Sequence, residues 1–122
     1  MLSRVGQGRQ AEALACRYLE QQGLTLRAQN IRGPKGEVDL IMEDDDFLVF
    51  VEVRFRAGDD FGHALETVDP RKQRRISATA LHYLQANNLV HERYCRFDVV
   101  AVCDVEPPEF IWIKDAFYTT QG

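Results

Sequence analysis

Two apolar runs separated by an acidic turn constrain the fold of this chain more than any other feature. Gly36-Glu37-Val38-Asp39-Leu40-Ile41 and Phe50-Val51-Glu52-Val53-Arg54 flank the stretch Glu43-Asp44-Asp45-Asp46. Both runs are β-branched and alternating, so they read as strands over about 37–43 and 47–54. The acidic stretch suits a hairpin turn. If Asp45 and Asp46 form that turn, Asp44 faces Phe47, Glu43 faces Leu48, Asp39 faces Glu52 and Glu37 faces Arg54. Directly opposed residues sit roughly 4.5–5.5 Å apart at Cβ. Two carboxylates that close repel unless a cation or a proton lies between them. A Mg²⁺ ion, with metal–oxygen bonds of about 2.0–2.1 Å, fits such a gap. The same register also allows a plainer reading, in which Glu37 and Arg54 form a charged cross-strand pair contributing roughly 0.2–1 kcal/mol. A longer loop would slip the register by one and send the two carboxylates to opposite faces.

The remaining elements follow from periodicity. Ala11, Leu14, Ala15, Tyr18 and Leu19 lie on one helical stripe within about 10–22, with Gly23 as the stop. Leu24, Leu26 and Ala28 alternate as a first strand. Residues 55–68 read mostly as loop, with one helical turn near Ala64–Val68. Asp69 caps a second helix that has Pro70 at its first position, Ile76, Ala80, Tyr83 and Leu84 as its stripe, and Asn87-Asn88 as its end. Arg96–Val102 and Phe110–Lys114 give two further strands around Pro107-Pro108. The order is α-β-β-β-α-β with a final strand. A helix between strands lets part of the sheet be parallel, so the expected fold is α/β, a mixed sheet flanked by helices.

At 122 residues the chain is expected to be one domain, 1–122, able to bury its own core. No apolar run approaches the roughly 20 residues of a membrane span. Arg4 and Arg9 precede the first helix without a secretory apolar stretch. Cys16, Cys95 and Cys103 lack CxxC spacing, and His63, His82 and His91 lack metal-ligand spacing. A zinc site or disulfide framework is therefore not expected, which points to a reducing compartment and to the cytoplasm. The net charge of −4 argues against a large basic face. A local groove remains open, because Arg71, Lys72, Arg74 and Arg75 cluster at a helix start, where an anion would be favoured by free amides and side chains alike. A solvated basic face is the plainer alternative. Arg96 and Asp98 read as a structural ion pair, and Trp112 with Phe117 as core or as a homo-oligomer contact.

An acidic–x–acidic strand, a turn, and Glu-x-basic on the next strand resemble the PD-(D/E)xK nuclease core, the restriction-endonuclease-like fold. Over nearly its full length the chain is similar to the YraN family of uncharacterised bacterial proteins. That resemblance rests on Gly8, Ala11-Glu12, Tyr18-Leu19, Gly23, Asn30, Gly36–Ile41, Phe50–Arg54 with Arg56, Gly62, Lys72, Tyr83-Leu84 and Arg96–Val100, in order.

The resemblance implies a Mg²⁺- or Mn²⁺-dependent nuclease, or a nuclease-derived protein that binds DNA or RNA. It makes Asp39 and Glu52 metal ligands, offers the Val53 carbonyl as a third oxygen, and lets Glu12 complete the site from the first helix. Glu37 flanks the site, either supporting the ligands or pairing with Arg54. Arg54 stands where the wider superfamily has lysine. Its planar fork suits phosphate, but its pKa stays above about 12, so it clamps charge and does not act as a base. Arg54, Arg56, Arg71 and Lys72 are the expected nucleic-acid contacts. The alternative from another class is a catalytically silent nuclease fold serving as a protein-interaction and assembly module.

Overall fold

The computed structural model describes residues 4–57, 68–104 and 106–117. Helix α1 (Arg4–Gln21) leads into strands β1 (Thr25–Arg32), β2 (Glu37–Asp44) and β3 (Phe47–Ala57), and helix α2 (Pro70–Ala86) precedes β4 (Tyr94–Asp104) and β5 (Glu109–Phe117). The two helices and five strands expected outside residues 58–67 are present in the expected order. The boundaries differ where the sequence signal is weak. α1 begins at Arg4, ahead of the periodic stripe, through a segment whose Gly6 and Gly8 lower helix propensity without forbidding it. β1 runs on to Arg32 through polar residues that lie at the sheet edge. Most of the loop expected over 55–68, with its helical turn near Ala64–Val68, lies outside the described residues.

The strands form one five-stranded sheet in the order β1-β2-β3-β4-β5. β3 and β4 are parallel and every other neighbouring pair is antiparallel. This is the mixed sheet that the intervening helix demands, since parallel neighbours need a crossover and antiparallel ones only a turn. The helices cover opposite faces. On one, Ala11, Ala15 and Leu19 of α1 pack with Leu40, Met42, Val49 and Val51. On the other, Ile76 and Ala80 of α2 pack with Ile41, Leu48, Phe50 and Val99. Successive β3 residues thus enter different cores, which is why Leu48–Val51 is apolar without interruption.

α2 starts as expected. The Asp69 carboxylate accepts the Arg71 amide hydrogen at 2.8 Å, and Pro70 occupies the first helical position. The loop between β1 and β2 lies tight against this helix. A Cβ added to Gly33 would meet Thr79 Oγ1 at 2.9 Å, and one added to Gly36 would meet the Arg75 Cβ at 3.1 Å. Glycine at both positions lets that loop reach α2 and brings Lys35 beside it.

Near the turn end of the hairpin lies a buried polar knot. Asp98, fully buried on β4, accepts hydrogen bonds from Arg96 Nε at 3.0 Å, Trp112 Nε1 at 2.9 Å and the Asp115 amide at 3.0 Å. Arg96 also bridges to Asp44 at 2.9 Å. The expected Arg96–Asp98 ion pair is present, and Trp112 serves as a donor to it.

Candidate functional site

The hairpin closes as a two-residue turn requires. Asp45 adopts φ 54°, and the register runs from Asp44–Phe47 through Glu43–Leu48 to Leu40–Val51. One residue beyond Leu40, the Val53 amide donates to Asp39 Oδ2 at 2.8 Å. It is thus the N–H of Val53 that meets Asp39. Asp39 and Glu52 line the same cleft, close enough for the charge of one to act on the other. Burial, and then the adjacent Glu52 charge, raise the Asp39 pKa to about 8 against the opposing pull of the Val53 amide; Glu12 adds to the rise.

Glu52 is only 6 % exposed, yet it carries an ion pair with the ammonium of Lys72 from the first turn of α2. Glu12, on α1, has its carboxyl pKa raised by burial and then by the charge of Glu37. With its amide nitrogen turned toward these acids, Asn30 donates to Glu12 Oε1 at 2.9 Å and to Glu37 Oε1 at 3.2 Å. Glu37 aligns with Arg32 across β1 and stands with the acids, as a support of the site would.

These groups line a cleft of about 620 Å³ between the two helices, with Asp39 and Glu52 deep in it and Lys35, Arg71, Lys72 and Arg75 around it. A second hollow of about 300 Å³ adjoins it, lined by Arg54, Phe55 and Arg56 and sharing Glu52 and Lys72 with the first. The structure therefore brings Glu12, Glu37, Asp39, Glu52, Arg71 and Lys72 together, and places Arg54 and Arg56 next door. Lys72, expected as a surface contact for phosphate, instead touches a candidate metal ligand. Sequence reasoning placed Arg75 only in the basic cluster at the helix start and did not assign Lys35 or Asn30 to the site. Gly33 and Gly36, spaced to press a loop on a helix, were the available sign for Lys35.

Among the described residues no three His, Cys, Asp or Glu side chains are grouped to hold a metal ion. What the floor presents is the Asp39–Glu52 pair. Two hard carboxylate donors suit Mg²⁺, which commonly keeps several waters and takes only one or two protein carboxylates, completing its shell with substrate phosphates. The donor set fits such an ion.

Among the described residues no helix is long and apolar enough to cross a membrane. The model of an uncharacterised protein family, UPF0102, matches residues 11–102. A UPF0102 protein of Coxiella burnetii (strain RSA 331 / Henzerling II) is 50% identical over 109 residues, covering 89% of both chains. One from Nitrosococcus oceani is 47% identical over 111 residues, covering 90% of each chain. One from Shewanella sp. (strain ANA-3) is 47% identical over 110 residues, covering 90% of this chain and 97% of its own. The match contains β1, β2, β3 and α2 whole, and with them every carboxylate of the cleft, so this chain belongs to the uncharacterised protein family UPF0102.

Proposed function

We propose that this protein is a metal-dependent nuclease of the PD-(D/E)xK kind, acting on the phosphodiester backbone of DNA or RNA. The observation that carries the reading is the Asp39–Glu52 pair, two acidic groups deep in one cleft with a basic rim, where burial and the charge of Glu52 raise the Asp39 pKa. Burying like charges together is costly, and the cost is relieved by a proton or a cation. The element order and the mixed sheet agree with that superfamily.

Asp39 and Glu52 hold the divalent ion in this reading, and Glu12 and Glu37 bear on it from beside the pair. The ion, when bound, supplies an activated water and charge neutralisation at phosphorus. Arg54, two residues along β3 from Glu52, clamps a phosphate oxygen with a fixed positive charge. Arg71, with Arg56 in the adjoining hollow, holds flanking phosphates without reading bases.

A second reading, a silent interaction module, draws on one observation. Lys72 already balances the charge of Glu52, so the floor is partly neutralised with no metal.

The deciding experiment incubates the protein with Mn²⁺ and labelled single-stranded, duplex and branched DNA and RNA, beside Asp39→Asn and Glu52→Gln. Cleavage by the parent chain, lost in both variants, is the expected result. Absence of Mn²⁺ binding in calorimetry, together with no cleavage of any substrate, would leave the silent module standing.

A further inference from the structure

The Lys72–Glu52 contact implies more than a charged rim. We infer that Lys72 is an exchangeable counter-ion: it neutralises Glu52 while no divalent metal is bound, and gives way to the metal to engage the scissile phosphate. The inference rests on the metal-dependent reading above and adds a positioning role that neither the fold nor the family assigns.

Three features carry it. Glu52 is 6 % exposed, so its charge needs a partner, and among the described residues the Lys72 ammonium provides it. The Lys72 side chain itself is 56 % exposed, so its ammonium is reached from solvent and is not walled in by packing. Its flexible four-carbon stem can swing at small cost while the backbone stays fixed by the Asp69 cap and Pro70. Finally, Lys72 lines both hollows, so one change of rotamer moves the ammonium from the carboxylate floor toward the space where a phosphate would lie.

Electrostatics fixes the direction of the exchange. A divalent cation on Glu52 and an ammonium on the same carboxylate repel at contact distance, and the singly charged, mobile partner yields. Among the described residues Lys72 is the rim cation of the main cleft seen paired to Glu52. A lysine is thus present at the site even though position 54 holds arginine.

The test uses the intact protein and Mn²⁺ titrations by calorimetry. Lys72→Met removes a competing cation, so Mn²⁺ should bind about tenfold more tightly, a shift of roughly 1.4 kcal/mol, while cleavage falls at least a hundredfold. Lys72→Arg should restore part of the cleavage. If Lys72 only stabilises the fold, Lys72→Met lowers the melting temperature and leaves Mn²⁺ affinity unchanged or weaker, which overturns the inference but not the metal site. The wild-type chain supplies a second measurement that needs no variant. Mg²⁺ addition should shift the Lys72 side-chain NMR resonances in parallel with metal binding, and a metal-saturated protein with those resonances unmoved also overturns it. A wild-type protein that binds no Mn²⁺ removes the parent reading, and the exchange with it.

Discussion

Two buried carboxylates in this molecule are treated in opposite ways, and the difference separates scaffold from site. Asp98 is fully buried and surrounded by donors: the Arg96 guanidinium, the Trp112 indole and the Asp115 amide. Asp39 receives one backbone hydrogen bond, from Val53, and otherwise faces another carboxyl group. Its burial and the Glu52 charge raise its pKa to about 8. The first arrangement satisfies a charge once and for all. The second leaves a charge unsatisfied in a cleft open to solvent, which is what a site for a cation or a proton needs.

The largest expected effect falls on the scaffold side. Asp98→Ala leaves Arg96 with Asp44 as its carboxylate partner and strands the Trp112 and Asp115 donors. Breaking a buried charge network from one side costs about 3–5 kcal/mol, so urea unfolding should shift by that amount with Mn²⁺ affinity retained. A loss below about 1 kcal/mol would mean that Asp98 is less structural than its donors suggest.

At Asp39 the expectation reverses sign. In the unfolded chain this carboxyl loses its proton near its ordinary value of 3.8; in the folded chain it keeps it up to about 8. Between those values the native state binds more protons, so stability falls as pH rises from 4 to 8 and levels above. Asp39→Asn should remove that slope and raise metal-free stability at pH 8, whereas the same change at Asp98 should lower stability at every pH. Urea midpoints measured from pH 4 to 9 on both variants check it. Mn²⁺ affinity of the parent chain should climb through the same interval, because the metal must displace the proton that Asp39 retains.

How much of this was legible in the sequence follows from the same contrast. The hairpin register could be read because a two-residue turn at Asp45 and Asp46 pairs Asp44 with Phe47 and Glu43 with Leu48, as the structure does down to Leu40 and Val51. The α2 start could be read because Asp69-Pro70 is a local signal. Strand ends were harder: β1 continues through Gln29-Asn30-Ile31-Arg32, where pairing with β2 overrides a polar composition. The Lys72–Glu52 contact was not legible, since it joins two elements whose separation depends on the packing of α2 against the sheet. Lys35 was hidden for the same reason. Local chemistry announces itself in a sequence, and chemistry assembled across a crossover does not.

The smallest expected effect compares cations at the two ends of the hairpin. Arg93 lies at the turn end, where it donates to the Asp46 carbonyl at 3.2 Å and stands 3.6 Å from Glu43. Its charge is already spent on acidic groups and backbone oxygens. Arg71, exposed at the start of α2, lines the cleft, and its side chain sits where the first-turn amides and neighbouring cations favour an anion. If the cleft holds a phosphate backbone, Arg71→Gln should weaken nucleic-acid binding equally across sequences and lower the slope of log affinity against log salt by about 1, the loss of one phosphate contact. Arg93→Gln should leave that slope as it was. Neither change should move stability by more than about 0.5 kcal/mol, because each alters an exposed or half-exposed surface charge. Fluorescence anisotropy over a salt series, with both variants beside the parent chain, makes the comparison. Equal slopes in all three proteins would place the phosphate away from α2 and return Arg71 to the solvated surface. A drop for Arg93→Gln alone would move the nucleic-acid contact to the opposite end of the sheet, away from Asp39 and Glu52.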